Sequence, residues 1–419
     1  MVNIGLAKKK DATPIPTTVS KANNLYFLEF FVILFFFAYY LLPAVNSAVP
    51  FMVALTLSIA YTLYLFVREP DWRTTIAGFL LICASISLLF YFLTETGTIS
   101  TSVSNYTIKR LASKMYQFMM MFFPACLFVR IYTKASATQK RILYWAAIIM
   151  FSIVIVNTFT ELMTNDTASR DWTEFSTQSE NNIGTYSFVY IVPMLITALV
   201  SLFYTQKGFK KILVVGVIAF LFAFLLSAQY TLAILISVIG MALQLSANMK
   251  TSAGKMLLWL LFIGLLFLMP TAFEMLAESI ESEQISIRFK ELAAFFGGGD
   301  ASGYNLNGRL ELYLKAVVAF VNSPIIGNRT LKFDGHATLL TVPADIGAFG
   351  LVGLWLLMLK SYKYVSALMG ERKRHFTPVF VCLLIMGFTN PIHAAATALF
   401  GTWLMAPMII MIGDNNGKR

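Results

Sequence analysis

Long apolar runs constrain this chain more than any other feature. A helix that crosses a bilayer needs about 20 mostly apolar residues. Runs of that kind fall at 25–42, 48–67, 74–93, 115–133, 142–162 and 186–205. They continue at 212–227, 229–248, 256–273, 346–360, 378–391 and 394–412. The blocks 212–248 and 378–412 are each too long for one crossing. Both carry a polar break, at Ser227-Ala228-Gln229 and at Thr389-Asn390-Pro391, where a turn or a broken helix is expected. Composition agrees, with 58% hydrophobic and 13% charged residues against roughly 25% charged in soluble domains. The expectation is an all-α polytopic membrane protein with about twelve transmembrane helices. A disordered chain, a secreted disulfide scaffold and a soluble dinucleotide-binding enzyme are excluded.

Charge orients the spans. The net charge of +11 does not imply nucleic acid, because Lys and Arg collect in cytoplasmic loops. With the N-terminus inside and the spans alternating, 22 of the 32 basic residues fall on the cytoplasmic side, among them Arg68, Arg130, Lys207, Lys250 and Arg372. About 15 of the 21 acidic residues fall outside. The basic, polar stretch 1–24 reads as a cytoplasmic tail before an uncleaved first span, and 413–419 as a second tail. Cys83, Cys126 and Cys382 each sit inside an apolar run and read as small hydrophobes. The organisation is then nine spans over 25–273, an outer loop of 72 residues over 274–345, and three spans over 346–412. A long outer loop so late in the chain departs from the two-halves plan of common transporters and points to work on the outer face.

The loop carries the candidate chemistry. QISIRFKELAAFF (284–296) places Ile285, Phe289, Leu292 and Phe296 on one helical face, as for a helix lying on the membrane surface or on the spans. A second helix is expected from Asn307, as N-cap, through RLELYLKAVVAFV to Ser323-Pro324. Arg309, in its first turn, suits a diphosphate held by guanidinium and free backbone N–H groups; a pair with Glu311 is the structural alternative. Arg288 is either a second phosphate contact or a solvated charge beside Glu291. His336 stands alone on the outer side and titrates in the range of a general base, though a lone histidine is often structural. No second His, Cys or acidic cluster accompanies it to make a metal site. Asp345 is either a helix N-cap or a functional carboxylate.

The order of these residues resembles the O-antigen polymerase and ligase superfamily. Gly308-Arg309 matches its Arg start to a loop helix, and Ser323-Pro324-Ile325-Ile326-Gly327 its proline-glycine turn. Gly335-His336-Ala337-Thr338 matches its histidine, and Asp345-Ile346-Gly347 with Gly350 its acid-glycine entry into the next span. Glu180-Asn181-Asn182-Ile183-Gly184 before Pro193 looks like the family's Asn-containing entry into a middle span. There are departures: Gln229 stands where the family often has Arg, Ala337 follows the histidine, and Asp345 replaces Glu.

The resemblance implies a GT-C-like membrane glycosyltransferase that acts without cofactor or metal, by inversion, in a bacterial inner membrane. Its substrates would be glycans on undecaprenyl diphosphate, with a chain-length regulator and a flippase as partners. His336 would take the acceptor proton. Arg309, Arg288, Gln229, Asn182 and Asp345 would hold substrate. DGHATLLTVPADIGAFG is closer to the polymerase pattern than to the ligase pattern, so polymerisation is expected over transfer to lipid A-core. A transporter or flippase, which needs ionisable residues at mid-membrane or matched broken helices, and a non-catalytic scaffold are the competing classes.

Overall fold

Inside lipid a helix satisfies its own backbone groups, so apolar runs of this length fold as helices. The computed structural model describes residues 25–95, 104–165, 168–169, 179–279, 286–287, 289–290, 293–294, 297, 305–328 and 337–412, and among them there is no strand. In chain order the helices are α1 (Phe27–Leu41), α2 (Pro43–Ala48), α3 (Phe51–Arg68), α4 (Arg73–Glu95) and α5 (Ser104–Met120). Next come α6 (Phe123–Lys134), α7 (Ala137–Leu162), α8 (Tyr186–Thr205), α9 (Phe209–Ala228) and α10 (Thr231–Asn248). The last five are α11 (Ser252–Ser279), α12 (Asn305–Asn322), α13 (Thr338–Met369), α14 (Lys373–Thr389) and α15 (Ala396–Ile412).

Six helical stretches are long and apolar enough to cross a membrane, or eight when each of two bent pairs is one span. The six are α3, α7, α8, α9, α10 and the stretch Thr338–Thr389. The bent pairs are Leu111–Met120 with Phe123–Lys134, at 40°, and Ser252–Gly264 with Phe267–Ser279, at 43°. The second bend has a covalent cause: the ring of Pro270 collides with the carbonyl four residues back. α1, Arg73–Leu89 and α15 are apolar but shorter. These helices fit a multi-pass membrane protein.

The stretch Thr338–Thr389 is not one rod. Its 52 residues would reach about 78 Å as a straight helix, well beyond a hydrocarbon core of roughly 30 Å. It reverses at Gly370, which takes φ +57°. Tyr362 of α13 then stacks on Phe380 of α14 at 4.4 Å, and its hydroxyl meets that of Thr377 at 2.8 Å.

Helices in lipid gain little from excluding water, so small residues that let backbones approach set the packing. The most extensive contact pairs α4 with α13. A Cβ added at Gly78 would meet the Leu356 side chain at 2.6 Å, and one at Gly353 would strike Ile82. Phe36, Phe37, Phe123, Phe400 and Trp403 fill the centre and are fully buried. Cys83, Cys126 and Cys382 are buried free thiols.

The bundle has two chemically different ends. At one, the start of α1 meets α3 and α6. Arg130 Nε donates to Glu29 Oε1 at 2.6 Å and Nη1 to Glu69 Oε1 at 2.9 Å, while Tyr61 donates to Glu29 at 3.1 Å. The starts of α14 and ends of α10 and α15 lie at this end too: Gln244 meets His375 at 2.7 Å, and Arg372 donates to the Ile410 carbonyl at 2.7 Å. The other end gathers the end of α1, α2, the starts of α8, α13 and α15, and the end of α14.

Arg130 and Glu29 are both nearly buried, at 9% and 8% side-chain exposure. Arg130→Ala leaves Glu29 uncompensated and should destabilise the protein by about 3–5 kcal/mol. Glu29→Leu with Arg130→Met should cost clearly less. Thermal unfolding of the detergent-purified proteins distinguishes these outcomes; equal losses would refute the buried-charge account.

Candidate functional site

Two of the motif turns meet each other backbone to backbone. α13 is interrupted at Gly347, whose φ +65° and ψ −146° lie in a region open almost only to glycine. The turn after α12 seats in this gap. Gly327 also takes positive φ, +70°. A Cβ at Gly327 would collide with the Asp345 carbonyl, and one at Gly347 with the Ile325 carbonyl. The N–H freed at the gap, on Ala348, donates to the Pro324 carbonyl at 2.7 Å, and Asn328 N–H donates to the Ala344 carbonyl at 2.8 Å. Ser323 Oγ closes the turn on the Gly327 carbonyl at 2.7 Å. Upstream, Ala316 and Ala319 of α12 pack on Ala344 and Leu340 of α13. α12 is thereby clamped along α13.

A second break lies beside it. After α14, Asn390 and Pro391 leave the helix, and a short turn Ile392–Ala394 leads into α15. Groups at this break are held by four other helices, two of them through its freed carbonyls. Tyr186 of α8 donates to Asn390 Oδ1 at 2.9 Å, and the Thr338 N–H at the start of α13 donates to the Asn390 carbonyl at 3.2 Å. Tyr313 of α12 donates to the Thr389 carbonyl at 2.8 Å. His393 stacks on Phe118 of α5, with centroids 5.3 Å apart and rings 7° from parallel, and its Nδ1 meets Thr338 Oγ1 at 2.6 Å. Burial, with the charge of Lys114 nearby, pushes the His393 imidazole down to about 3. A general base works best near the operating pH, so His393 is a neutral positioning group that ties α5, α13 and the break together.

The candidate residues fall as follows. Arg309 is the fifth residue of α12, one turn before Tyr313, so it stands in the second turn and not, as expected, beside the free N–H groups of the first; its side chain lies outside the described ones. Glu311, its alternative partner, pairs with Lys315 at 2.6 Å. α12 begins at Asn305, so Asn307 is inside the helix rather than its cap. Asp345 is not an N-cap either. α13 starts at Thr338 after Ala337, and Asp345 stands two residues before the Gly347 gap, where the Pro324 carbonyl takes the capping role.

Asn182 takes φ +55° and its Oδ1 accepts the Ala44 N–H at 3.1 Å, capping α2 from another part of the chain. Gln229 takes φ +58° at the end of α9 and is buried. Its neighbour Tyr230 packs on Tyr186, at 6.1 Å between centroids. Asn182 and Gln229 thus flank the start of α8. His336 and Arg288 lie outside the described residues. Of the amphipathic segment, Phe289 stacks on Phe273 of α11 at 5.8 Å and Ser286 donates to the Ala277 carbonyl at 2.8 Å.

Tyr186, Tyr313, Thr338, Asn390 and His393 were not among the candidates. The one local signal for them was the Asn390-Pro391 interruption of an apolar block. Among the described residues no three His, Cys, Asp or Glu side chains are grouped as metal ligands. Comparison with protein-family models, curated proteins and solved structures found no match.

The interlocked glycines admit no side chain. Gly347→Ala should lose about 1–3 kcal/mol from backbone conformation alone, with the Ile325 clash added. Gly216→Ala, in open space on α9, should be nearly neutral. Thermal unfolding of both variants in detergent checks this, and a Gly347→Ala protein as stable as the parent would contradict the interlock.

Proposed function

We propose that this chain is a GT-C-like membrane polysaccharide polymerase of the O-antigen type. It would move a growing glycan from undecaprenyl diphosphate onto a hydroxyl of the next lipid-linked repeat unit. The observation that carries this reading is the convergence of the motif turns at one end of the bundle. Ser323–Gly327 and Asp345–Gly350 dock on each other, and that docking holds α12, with Arg309 in its second turn, beside the Asn390 break. Thr338, two residues after His336, belongs to the same break.

Topology supports the reading. Splitting the Thr338–Thr389 hairpin at Gly370 and adding the three shorter apolar helices to the eight gives twelve spans. Arg130, Lys134 and the run Arg372-Lys373-Arg374 lie at the end opposite the motifs. Positive charge marks the cytoplasmic side, which supports a motif end facing outward from a bacterial inner membrane and cytoplasmic termini.

The chemistry follows from the residues. The acceptor hydroxyl oxygen attacks the anomeric carbon and a new glycosidic bond forms. The bond from that carbon to the diphosphate oxygen breaks, its electron pair leaving with undecaprenyl diphosphate. The hydroxyl proton passes to His336. Arg309 and Arg288 offset the charge that develops on the leaving group, which removes the need for a metal ion. Attack opposite the leaving group inverts the anomeric centre. Broken helices also occur in secondary transporters, and the gaps at Gly347 and Asn390 make transport the second reading.

The test is envelope polysaccharide from a deletion strain complemented with wild type, His336→Ala or Arg309→Ala at equal membrane expression. A polymerase predicts full ladders from wild type and single repeat units from both variants. Long lipid-linked chains that stay unattached would instead identify a ligase. Normal ladders from both variants would refute the site, and a deletion without a polysaccharide phenotype would refute the function.

A further inference from the structure

A cavity of ≈ 180 Å³ opens at the motif end, between the end of α1, α2, the segment leading into α8, and the start of α15. By liquid volume it has room for about six waters, the scale of one sugar ring and far short of a lipid tail. Its wall is continuous with the second break: Ala394 follows His393, and Thr185 and Ser187 flank Tyr186.

The lining mixes polar groups with Leu41, Pro43, Phe188, Ala394 and Ala396, and among the described residues it carries no charge. Tyr39, Asn46, Ser179, Thr185 and Ser187 bring hydroxyls and an amide, and among the described residues no Lys, Arg, His, Asp or Glu faces the space. Neighbouring contacts hold the walls rigid. Thr397 Oγ1 donates to the Tyr40 carbonyl at 3.1 Å, and Thr397 N–H donates to Ser187 Oγ at 3.1 Å. The hydroxyl of Tyr40, which also lines the cavity, is already engaged with that of Tyr116 at 2.7 Å. Asn182, capping α2, fixes the rim that carries Asn46. The hydroxyls of Ser179 and Thr185 make no side-chain hydrogen bond among the described residues.

Each class of ligand asks for a different wall. A phosphate needs cationic donors, and none lines the cavity among the described residues. An acyl chain would strand the hydroxyls of Ser179 and Thr185 without partners, a costly desolvation. A neutral ring with many hydroxyls satisfies them, and Tyr39 offers an aromatic surface. We propose that this cavity binds one uncharged saccharide ring. Within the polymerase reading, on which this clause alone rests, the ring is the acceptor sugar: the donor sugar carries the diphosphate and belongs beside the arginines.

The experiment uses the full-length protein in nanodiscs. The probes are methyl glycosides of neutral hexoses, deoxyhexoses and N-acetylhexosamines, with methyl glucuronide and glycerol phosphate as charged probes, all followed by saturation-transfer NMR. The variants are Asn46→Leu with Thr185→Val, near-isosteric changes that remove polar groups, and Ala394→Phe at the exposed mouth, which obstructs the space whether or not the first pair folds. At least one neutral glycoside should bind wild type, weaken tenfold or more in the double variant and be lost in Ala394→Phe. No neutral glycoside binding to wild type, equal binding to all three proteins, or binding of the charged probes alone overturns the inference. The outcomes separate from the polymerase test: binding lost in the variants, with no polysaccharide phenotype on deletion, would keep the sugar site and remove the polymerase.

Discussion

A backbone N–H or C=O that leaves the helix ladder inside a bilayer finds no water to replace its partner, and leaving it bare costs several kcal/mol. The motif end of this protein is organised around that constraint. Four departures from helical geometry gather there, at Asn182, Gln229, Gly347 and Asn390. The known partners come from elsewhere in the chain: the Pro324 carbonyl for Ala348, Asn390 for Thr338, and Thr158 Oγ1 for the Gly184 N–H at 2.7 Å. Polar side chains so near the apolar core are therefore first of all a bonding solution. The same solution leaves hydroxyls and amides pointing into shared space, which is what a polar substrate requires.

Much of the fold could be read from the sequence because lipid removes alternatives. A run such as Ile191–Thr205 has no other stable state in hydrocarbon, so its helix follows from hydropathy alone. The interruption at Asn390-Pro391 was legible for a related reason, since proline cannot complete the ladder. The partners of that interruption were not legible. Tyr186, Thr338 and Tyr313 are ordinary residues within helical patterns, and only the way α8, α12 and α13 pack brings them to Asn390. Asp345 shows the limit from the other side. Its acid-glycine pattern suggested a helix start, but a carbonyl from a distant turn caps the gap, and no local pattern encodes a partner in trans.

The two ends divide the electrostatic work. At the basic end, Arg130 bridges the carboxylates of Glu29 and Glu69, which leaves the trio with one negative charge in excess. At the motif end the described breaks use neutral donors and acceptors, and the histidine held there is kept uncharged by burial. Lys114, on α5, is a described cation close to that histidine. Placing arginine on the loop helix rather than in the spans avoids burying an unpaired cation in lipid.

The glycine interlock has one further consequence. α12 is pinned where it leaves, at Ser323–Gly327, and by the small residues that follow its length, so the register of Arg309 is measured backward from Gly347. A change in the length of the connection before α12 would therefore leave the separation of Arg309 from Gly347 unchanged, because that separation is counted along α12 and through the interlock. A family built on this plan could vary that connection freely from one member to another and still present the same reach of helix to whatever docks against it.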